Sequence, residues 1–213
     1  MKLSQVCSVE LKQYIIKNKL PKIIIPVHLS GQPCDMKEIH KLSKQFGFKV
    51  IEDASHGIGG KYNDEPIGNC KYSDITVFSF HPVKIITSGE GGMCTTNSSE
   101  IANLLCLYRS HGITRHQNEM TKKSDGPWYY QQIDLGFNYR MTDFQAALGL
   151  SQLKRLDEFI LKRHEIARKY DLSFKNKPIS TPFQSSNSYS SYHLYIIRVD
   201  NNIKELNKLD LFK

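Results

Sequence analysis

Residues 73–93 read SDITVFSFHPVKIITSGEGGM. The part from Asp74 to Phe80 is a run of β-branched and aromatic residues and reads as a strand. Lys84 follows it among apolar neighbours, a setting suited to Schiff-base chemistry. Ser79, at the strand's end, could hold a phosphate. Gly89, Gly91 and Gly92 permit a tight turn and close backbone approach, and Gly91 to Thr95 could form a further strand. The run does not match GxxxxGK[ST], which disfavours a P-loop. Taken singly, each of these residues is more often structural than functional.

Outward from this stretch, strand and helix patterns alternate. KIIIPV, Lys22 to Val27, reads as a short buried strand despite Pro26 near its end. Asp35 with Glu38 forms a capping-box arrangement, followed by Met36, Ile39, Leu42 and Phe46 at helical spacing and a stop at Gly47. KVIED, Lys49 to Asp53, is a second strand. Asn97 with Glu100 suggests another helix start, with Ile101, Leu104, Leu105 and Tyr108 as its apolar face. This alternation implies an α/β layered domain with a mostly parallel sheet. Ligands in such sheets bind beyond the C-terminal strand ends, so the loops after Val27, Asp53 and Phe80 are where chemistry is expected.

Asp53 sits in EDASH, Glu52 to His56. A carboxylate at the end of a central strand needs a partner. It could ligate a metal, orient a histidine, pair with a protonated ring nitrogen, or simply cap the next loop.

Further on, a polar loop spans Gly112 to Gly136. Thr142 and Gln145 form another capping box and open a helical pattern through about Tyr170, with Phe144, Leu148, Leu153, Leu156 and Ile160 as its apolar face. The Ser-, Pro- and Asn-rich stretch from Asn176 to Ser191 reads as a connector. SYHLYIIRVD, Ser191 to Asp200, is strand-like, and a short helical stretch follows near Ile203 to Leu209. The first twenty residues read as a helix. This divides the chain into residues 1–150, part of a large domain, and residues 151–213, a long connecting helix and the beginning of a smaller one.

The 213 residues are 39% hydrophobic, enough to bury a sizeable core. No stretch approaches the length of a membrane span. The N-terminus lacks the apolar block of a signal peptide, which favours the cytoplasm. The five cysteines are odd in number and form no CxxC pair, so neither a disulfide framework nor a zinc site is expected. No histidine spacing suits a metal. The net charge of +8 favours anionic partners, but the basic residues are dispersed and no nucleic-acid module is legible. A phosphate-bearing small molecule fits better.

In combination, the strings IPVHLSGQPCDM, VIEDASHGIGGKY, SDITVFSFHPVKIITSGEGGM, LYRSHGI and LGFNYRMTDFQAALGLSQLKRLDEF resemble the DegT/DnrJ/EryC1/StrS family of sugar aminotransferases, which use pyridoxal 5'-phosphate (PLP). The resemblance runs from about residue 20 to the end. It implies α/β architecture: a fragment of the fold-type-I large domain (three-layer α/β/α, mostly parallel sheet) plus the start of a small α+β C-terminal domain. It also implies roles. Lys84 would carry PLP and shuttle the proton. Asp53 would pair with the pyridine nitrogen, His56 would approach the phenolic oxygen, and Ser79 would bind the phosphate. Asn138 would reach the cofactor of a partner subunit in a homodimer with shared sites. Arg140 and His193 are weaker candidates for substrate binding.

The string GPWYYQQ, Gly126 to Gln132, resembles the branch of the family serving pseudaminic-acid biosynthesis. That implies amination at C4 of a UDP-linked 4-keto-6-deoxy-N-acetylhexosamine, with glutamate as donor. Sugar dehydratases of the same superfamily carry histidine at the Schiff-base lysine, so Lys84 argues against that alternative. The glycine-threonine phosphate loop of the family has no counterpart before Lys22. The chain therefore reads as partial, and a truncated, non-catalytic product is the other alternative.

Overall fold

The computed structural model describes residues 20–199 and residue 209. The expected helices at the extreme N-terminus and near Ile203 lie, Leu209 apart, outside the described residues.

The elements follow in chain order as β1 (Ile23–Ile24), α1 (Met36–Phe46), β2 (Lys49–Asp53), β3 (Lys61–Tyr62), β4 (Glu65–Pro66), β5 (Ile75–Ser79) and β6 (Gly92–Thr95). Next come α2 (Ser99–Arg109), β7 (Ile113–Thr114), β8 (Gln131–Gln132), α3 (Asp143–Leu153) and α4 (Leu156–Phe174). The described chain closes with β9 (Ile179–Ser180), β10 (Ser188–Tyr189) and β11 (Arg198–Val199).

The main sheet has the order β1-β2-β5-β6. β1 pairs with β2 and β2 with β5 in parallel, while β6 returns antiparallel along β5. The expected α/β class and mostly parallel sheet are what the backbone forms. Because side chains alternate across a strand, register sorts the residues by face. Glu52 lies opposite Thr76 and Asp53 opposite Val77. Val50, Glu52, Thr76 and Phe78 therefore share one face and are buried, whereas Ile51, Asp53, Val77 and Ser79 share the other and are half-buried.

Two apolar clusters build the core. Met36, Ile39 and Leu42 of α1 pack with Phe48, Val50 and Tyr62. Phe78, Phe80, Ile85 and Ile86 pack with Ala54 and with Ile160 of α4. Asp35 caps α1 as expected, accepting the Glu38 N–H, and Gly47 closes the helix in the left-handed region. The Thr142–Gln145 capping box also forms.

Three expectations need correction. Ser98, not Asn97, caps α2, because the Asn97 amide is used instead to donate to the carbonyls of Asn69 and Cys70. The single helix expected through Tyr170 breaks at Lys154–Arg155. There the Arg155 N–H bonds to the Gln152 carbonyl, tightening the turn, and α4 leaves in a direction that buries Ile160 and Ala167. The strand expected over Ser191–Asp200 is reduced to Arg198–Val199. Tyr192 has φ 45°, in the left-handed region, and residues 190–194 instead form a strap bound to the loop after β1. The apolar faces expected on α2 and α3 exist in sequence, but neither helix has a fully buried residue among those described.

Candidate active site

β1, β2 and β5 deliver their C-terminal ends side by side. Val27 bridges to Asp53 in parallel, and the His28 N–H donates to the Asp53 carbonyl at 3.0 Å. Asp53 is thereby fixed through its backbone, while its carboxylate projects from the half-buried face it shares with Ser79. The Ser55 N–H donates to Asp53 Oδ1 at 3.0 Å. Burial raises the Asp53 pKa, but hydrogen bonds from Ser55 and the proximity of His56 and His28 outweigh it, so the carboxyl lies below its ordinary range. At neutral pH it is ionised.

Lys84 follows β5 in a loop whose ends are tied together. The Phe80 N–H donates to the Gly91 carbonyl at 2.8 Å, the Ser88 N–H to the Phe80 carbonyl at 3.0 Å, and the Lys84 N–H to the His81 carbonyl at 2.9 Å. Ile85 and Ile86 are buried in the core, which anchors the loop directly beside the lysine. Lys84 is itself half-buried. Ser79 Oγ accepts the His81 N–H at 3.4 Å.

His56 lies between these groups. Burial pushes its pKa down, Lys84 pushes it further, and Asp53 partly offsets both. His193 reaches the same place from the strap. It is buried, and its ring lies 4.4 Å from that of His56, centroid to centroid. Burial first, then His56, Lys84 and Arg163, lower the His193 pKa to about 4. Its Nδ1 is buried without a hydrogen-bond partner.

The structure therefore gathers Asp53, His56, Lys84 and His193 into one electrostatically linked group, with Ser79 on Asp53's face. Asn138 and Arg140 are exposed on a separate loop. Asn138 is held there by a backbone bridge to Ser110. Beneath the group lies a pair that sequence reasoning passed over. His28 Nε2 donates to Glu52 Oε2 at 2.7 Å, while His28 Nδ1 accepts the Cys34 N–H at 3.1 Å. Ser73 and Thr76 donate to the other oxygen of Glu52. Burial raises the Glu52 pKa, but His28, Ser73 and Thr76 bring it below its ordinary value. The available signal was the position of His28 in PVHL, just past one strand, and of Glu52 inside the next.

An ionised carboxylate at a strand end, a tethered lysine and a histidine with its pKa held low fit the needs of a pyridine cofactor that binds covalently and keeps its ring nitrogen protonated. The cluster has the composition for it, and the buried, unpartnered His193 Nδ1 leaves polar capacity beside it. Among the described residues no group of His, Cys, Asp and Glu is placed to hold a metal ion.

Residues 2–212 match the DegT/DnrJ/EryC1/StrS aminotransferase family. Over 172 residues the chain is 40% identical to UDP-4-amino-4,6-dideoxy-N-acetyl-beta-L-altrosamine transaminase of Campylobacter jejuni, covering 80% of this chain and 43% of that protein. The structure superposes on Helicobacter pylori PseC, an aminotransferase involved in the biosynthesis of pseudoaminic acid, with a TM-score of 0.81 at 33% identity, covering 92% of this chain and 49% of that one. A putative sugar aminotransferase from Streptococcus pneumoniae in its PLP form gives a TM-score of 0.72 at 30% identity, covering 84% and 48%. The chain spans about half the length of the curated relatives it matches. The architecture is accordingly part of the fold-type-I transferase fold. The chain belongs to the DegT/DnrJ/EryC1/StrS aminotransferase family.

Proposed function

We propose that this chain supplies the cofactor-holding part of a PLP-dependent nucleotide-sugar aminotransferase. The observation that carries the reading is the ionised Asp53 at the end of β2, grouped with Lys84 and His56. When bound, PLP supplies an electron sink through which an amino group passes from an amino acid to a keto-sugar. Lys84 would be the point of covalent attachment, and its Nζ would take and return the proton that moves during transfer. Asp53, as a carboxylate, would pair with the pyridine nitrogen and keep it protonated. His56 would face the ring's phenolic oxygen, and Ser79 would bind the phosphate.

Asn138 acts on the cofactor of the partner subunit in a homodimer, and its exposed position supports a role outside its own chain's site. Arg140 binds substrate, and His193 approaches the same site from the strap. The substrate we propose is a UDP-linked 4-keto-6-deoxy-N-acetylhexosamine, aminated at C4 with glutamate as donor, in a cytoplasmic pseudaminic-acid pathway. The Campylobacter and Helicobacter relatives support that choice, and the +8 charge suits a diphosphate. No described helix is long and apolar enough to cross a membrane.

The test is turnover of the chain joined to the N-terminal half of a family relative. It is supplied with PLP, glutamate and UDP-4-keto sugars, and the product is identified by mass and NMR. An amine at C4 is the expected result. An amine at C3 would move the substrate to another branch, elimination without amine transfer would replace the activity with dehydration, and no turnover would overturn the reading.

A further inference from the structure

The strap at residues 190–194 is tied to the candidate site more closely than a passing connector needs to be. The Ser191 N–H donates to the Gly31 carbonyl at 3.1 Å, and the Leu194 N–H to the Ser30 carbonyl at 3.3 Å. Ser191 Oγ donates to the carbonyl of His56 itself at 2.8 Å. Contact is so close that a Cβ on Gly31 would lie 2.3 Å from Ser191 Oγ. From the other side α4 grips the strap. The Arg163 guanidinium donates to the carbonyls of Tyr192 and His193 at 3.0 and 3.2 Å, and His164 Nε2 bonds to the Ser190 carbonyl at 2.8 Å.

What the strap clamps is a strained turn. Ser30 has φ 63° and ψ 6°, a left-handed conformation that few non-glycine residues adopt. In that conformation the Ser30 N–H points at His56 Nδ1, 3.3 Å away. A nitrogen that accepts a hydrogen bond cannot carry a proton, so the neutral ring must carry its proton on Nε2. The His193 ring covers His56 at 4.4 Å. Two imidazoles this close, tilted 34° to one another, resist double protonation, and the other charges facing them are Lys84 and Arg163, both cationic, and Asp53.

We propose that Ser191 and His193 are positioning residues, which hold the Ser30 turn and the His56 ring so that His56 is fixed in its Nε2–H tautomer. His56 thereby presents a donor, not an acceptor, at Nε2. Docking of the C-terminal strap becomes a condition for the correct protonation pattern of a residue 135 positions earlier. The usefulness of that donor rests on the proposed function, but the tautomer does not.

The test is long-range nitrogen–proton NMR of the chain labelled on histidine, with no cofactor present. In the unaltered chain His56 Nδ1 should show the shift of an unprotonated acceptor and Nε2 that of an N–H. The ring should titrate below an ordinary histidine. Ser191→Ala removes the hydroxyl clamp, and His193→Ala removes the covering ring. Each should produce a mixture of tautomers and raise the His56 pKa toward that of an ordinary histidine, as solvation of the charged form recovers. His193→Phe keeps a ring in place and should preserve the Nε2–H form. Should His193→Ala fail to fold, Ser191→Ala decides alone. A proton on Nδ1 in the unaltered chain would overturn the proposal. So would a folded Ser191→Ala variant with unchanged tautomer and pKa. If the tautomer behaves as expected but PLP does not attach at Lys84, the aminotransferase reading fails and this one stands.

Discussion

The loops after β1, β2 and β5 and the segment from Gly112 to Leu153 carry candidate site residues in opposite ways. At the strand ends the residues are held from within the chain. Asp53 is fixed by backbone bonds from β1, Lys84 by a loop closed on Phe80, and His56 by Ser30, Ser191 and the His193 ring. In the second segment Asn138 and Arg140 sit among uncovered apolar groups, with Leu135 83% and Phe144 90% exposed. Large apolar patches on a folded surface mark interaction sites. The first region fixes its side chains from within the described chain, and the second leaves its side chains exposed among apolar groups.

Substitutions can break or sharpen that contrast. The largest effect belongs to Lys84. Lys84→Ala should abolish covalent PLP binding and lower turnover of the joined enzyme by on the order of 10³-fold or more, since it removes both attachment and proton transfer. Single-turnover kinetics with glutamate would measure it. A variant retaining near-normal rates would show that the strand-end cluster is not the reacting centre.

Next is the support beneath the cluster. His28→Ala removes the Nε2–H donor to the buried Glu52 carboxylate, and leaving a buried acceptor without its donor costs about 1–3 kcal/mol, more for a charged group. Urea unfolding reads this as a lower midpoint with the slope unchanged. A midpoint within error of the unaltered chain would mean that solvent reaches Glu52.

Core and surface apolar residues should then separate sharply. Ile160→Ala, at a site 3% exposed, should cost about 2–5 kcal/mol. Phe144→Ala should change the stability of the isolated chain by less than about 0.5 kcal/mol. Equal costs would show that α3 is already covered.

The smallest effect is a slope in pH. His193 has a folded pKa of about 4 against an ordinary 6.5. The unfolded chain binds that proton more readily, so stability is full above pH 6.5 and falls as pH drops from 6.5 toward 4. His193→Phe should reduce the slope in this interval, leaving the share of His56 and His164, whose pKa values are also lowered, and the loss at lower pH, where the depressed carboxyls of Glu52, Asp53 and Asp74 take up protons. An unchanged slope in His193→Phe would assign the titration to another group.

Much of the strand-end region was legible because its signals are local. A β-branched run delivers Asp53, another delivers Ser79, and both end where an α/β sheet binds ligands. Capping at Asp35 and Thr142 was legible for the same reason: it depends on residues three apart. The strap was not. SYHLYIIRVD has the composition of a strand, and its conformation is decided by Ser30, Gly31 and His56, distant in sequence, which draw Ser191 and Leu194 out of any ladder. Tertiary contact of that kind overrides β-propensity. The uncovered faces of α2 and α3 were misjudged differently. Apolar periodicity reports that a face seeks cover, not whether the cover lies within the same described residues.

Direct chemical labelling tests the assignment of Lys84 as the cofactor lysine. The chain is incubated with PLP, reduced with borohydride, digested and mapped by mass spectrometry. Labelling should concentrate on Lys84, disappear in Lys84→Ala and diminish in Asp53→Asn. Labelling of Lys84 no greater than that of an exposed lysine such as Lys162, or concentrated on a different lysine, would contradict it.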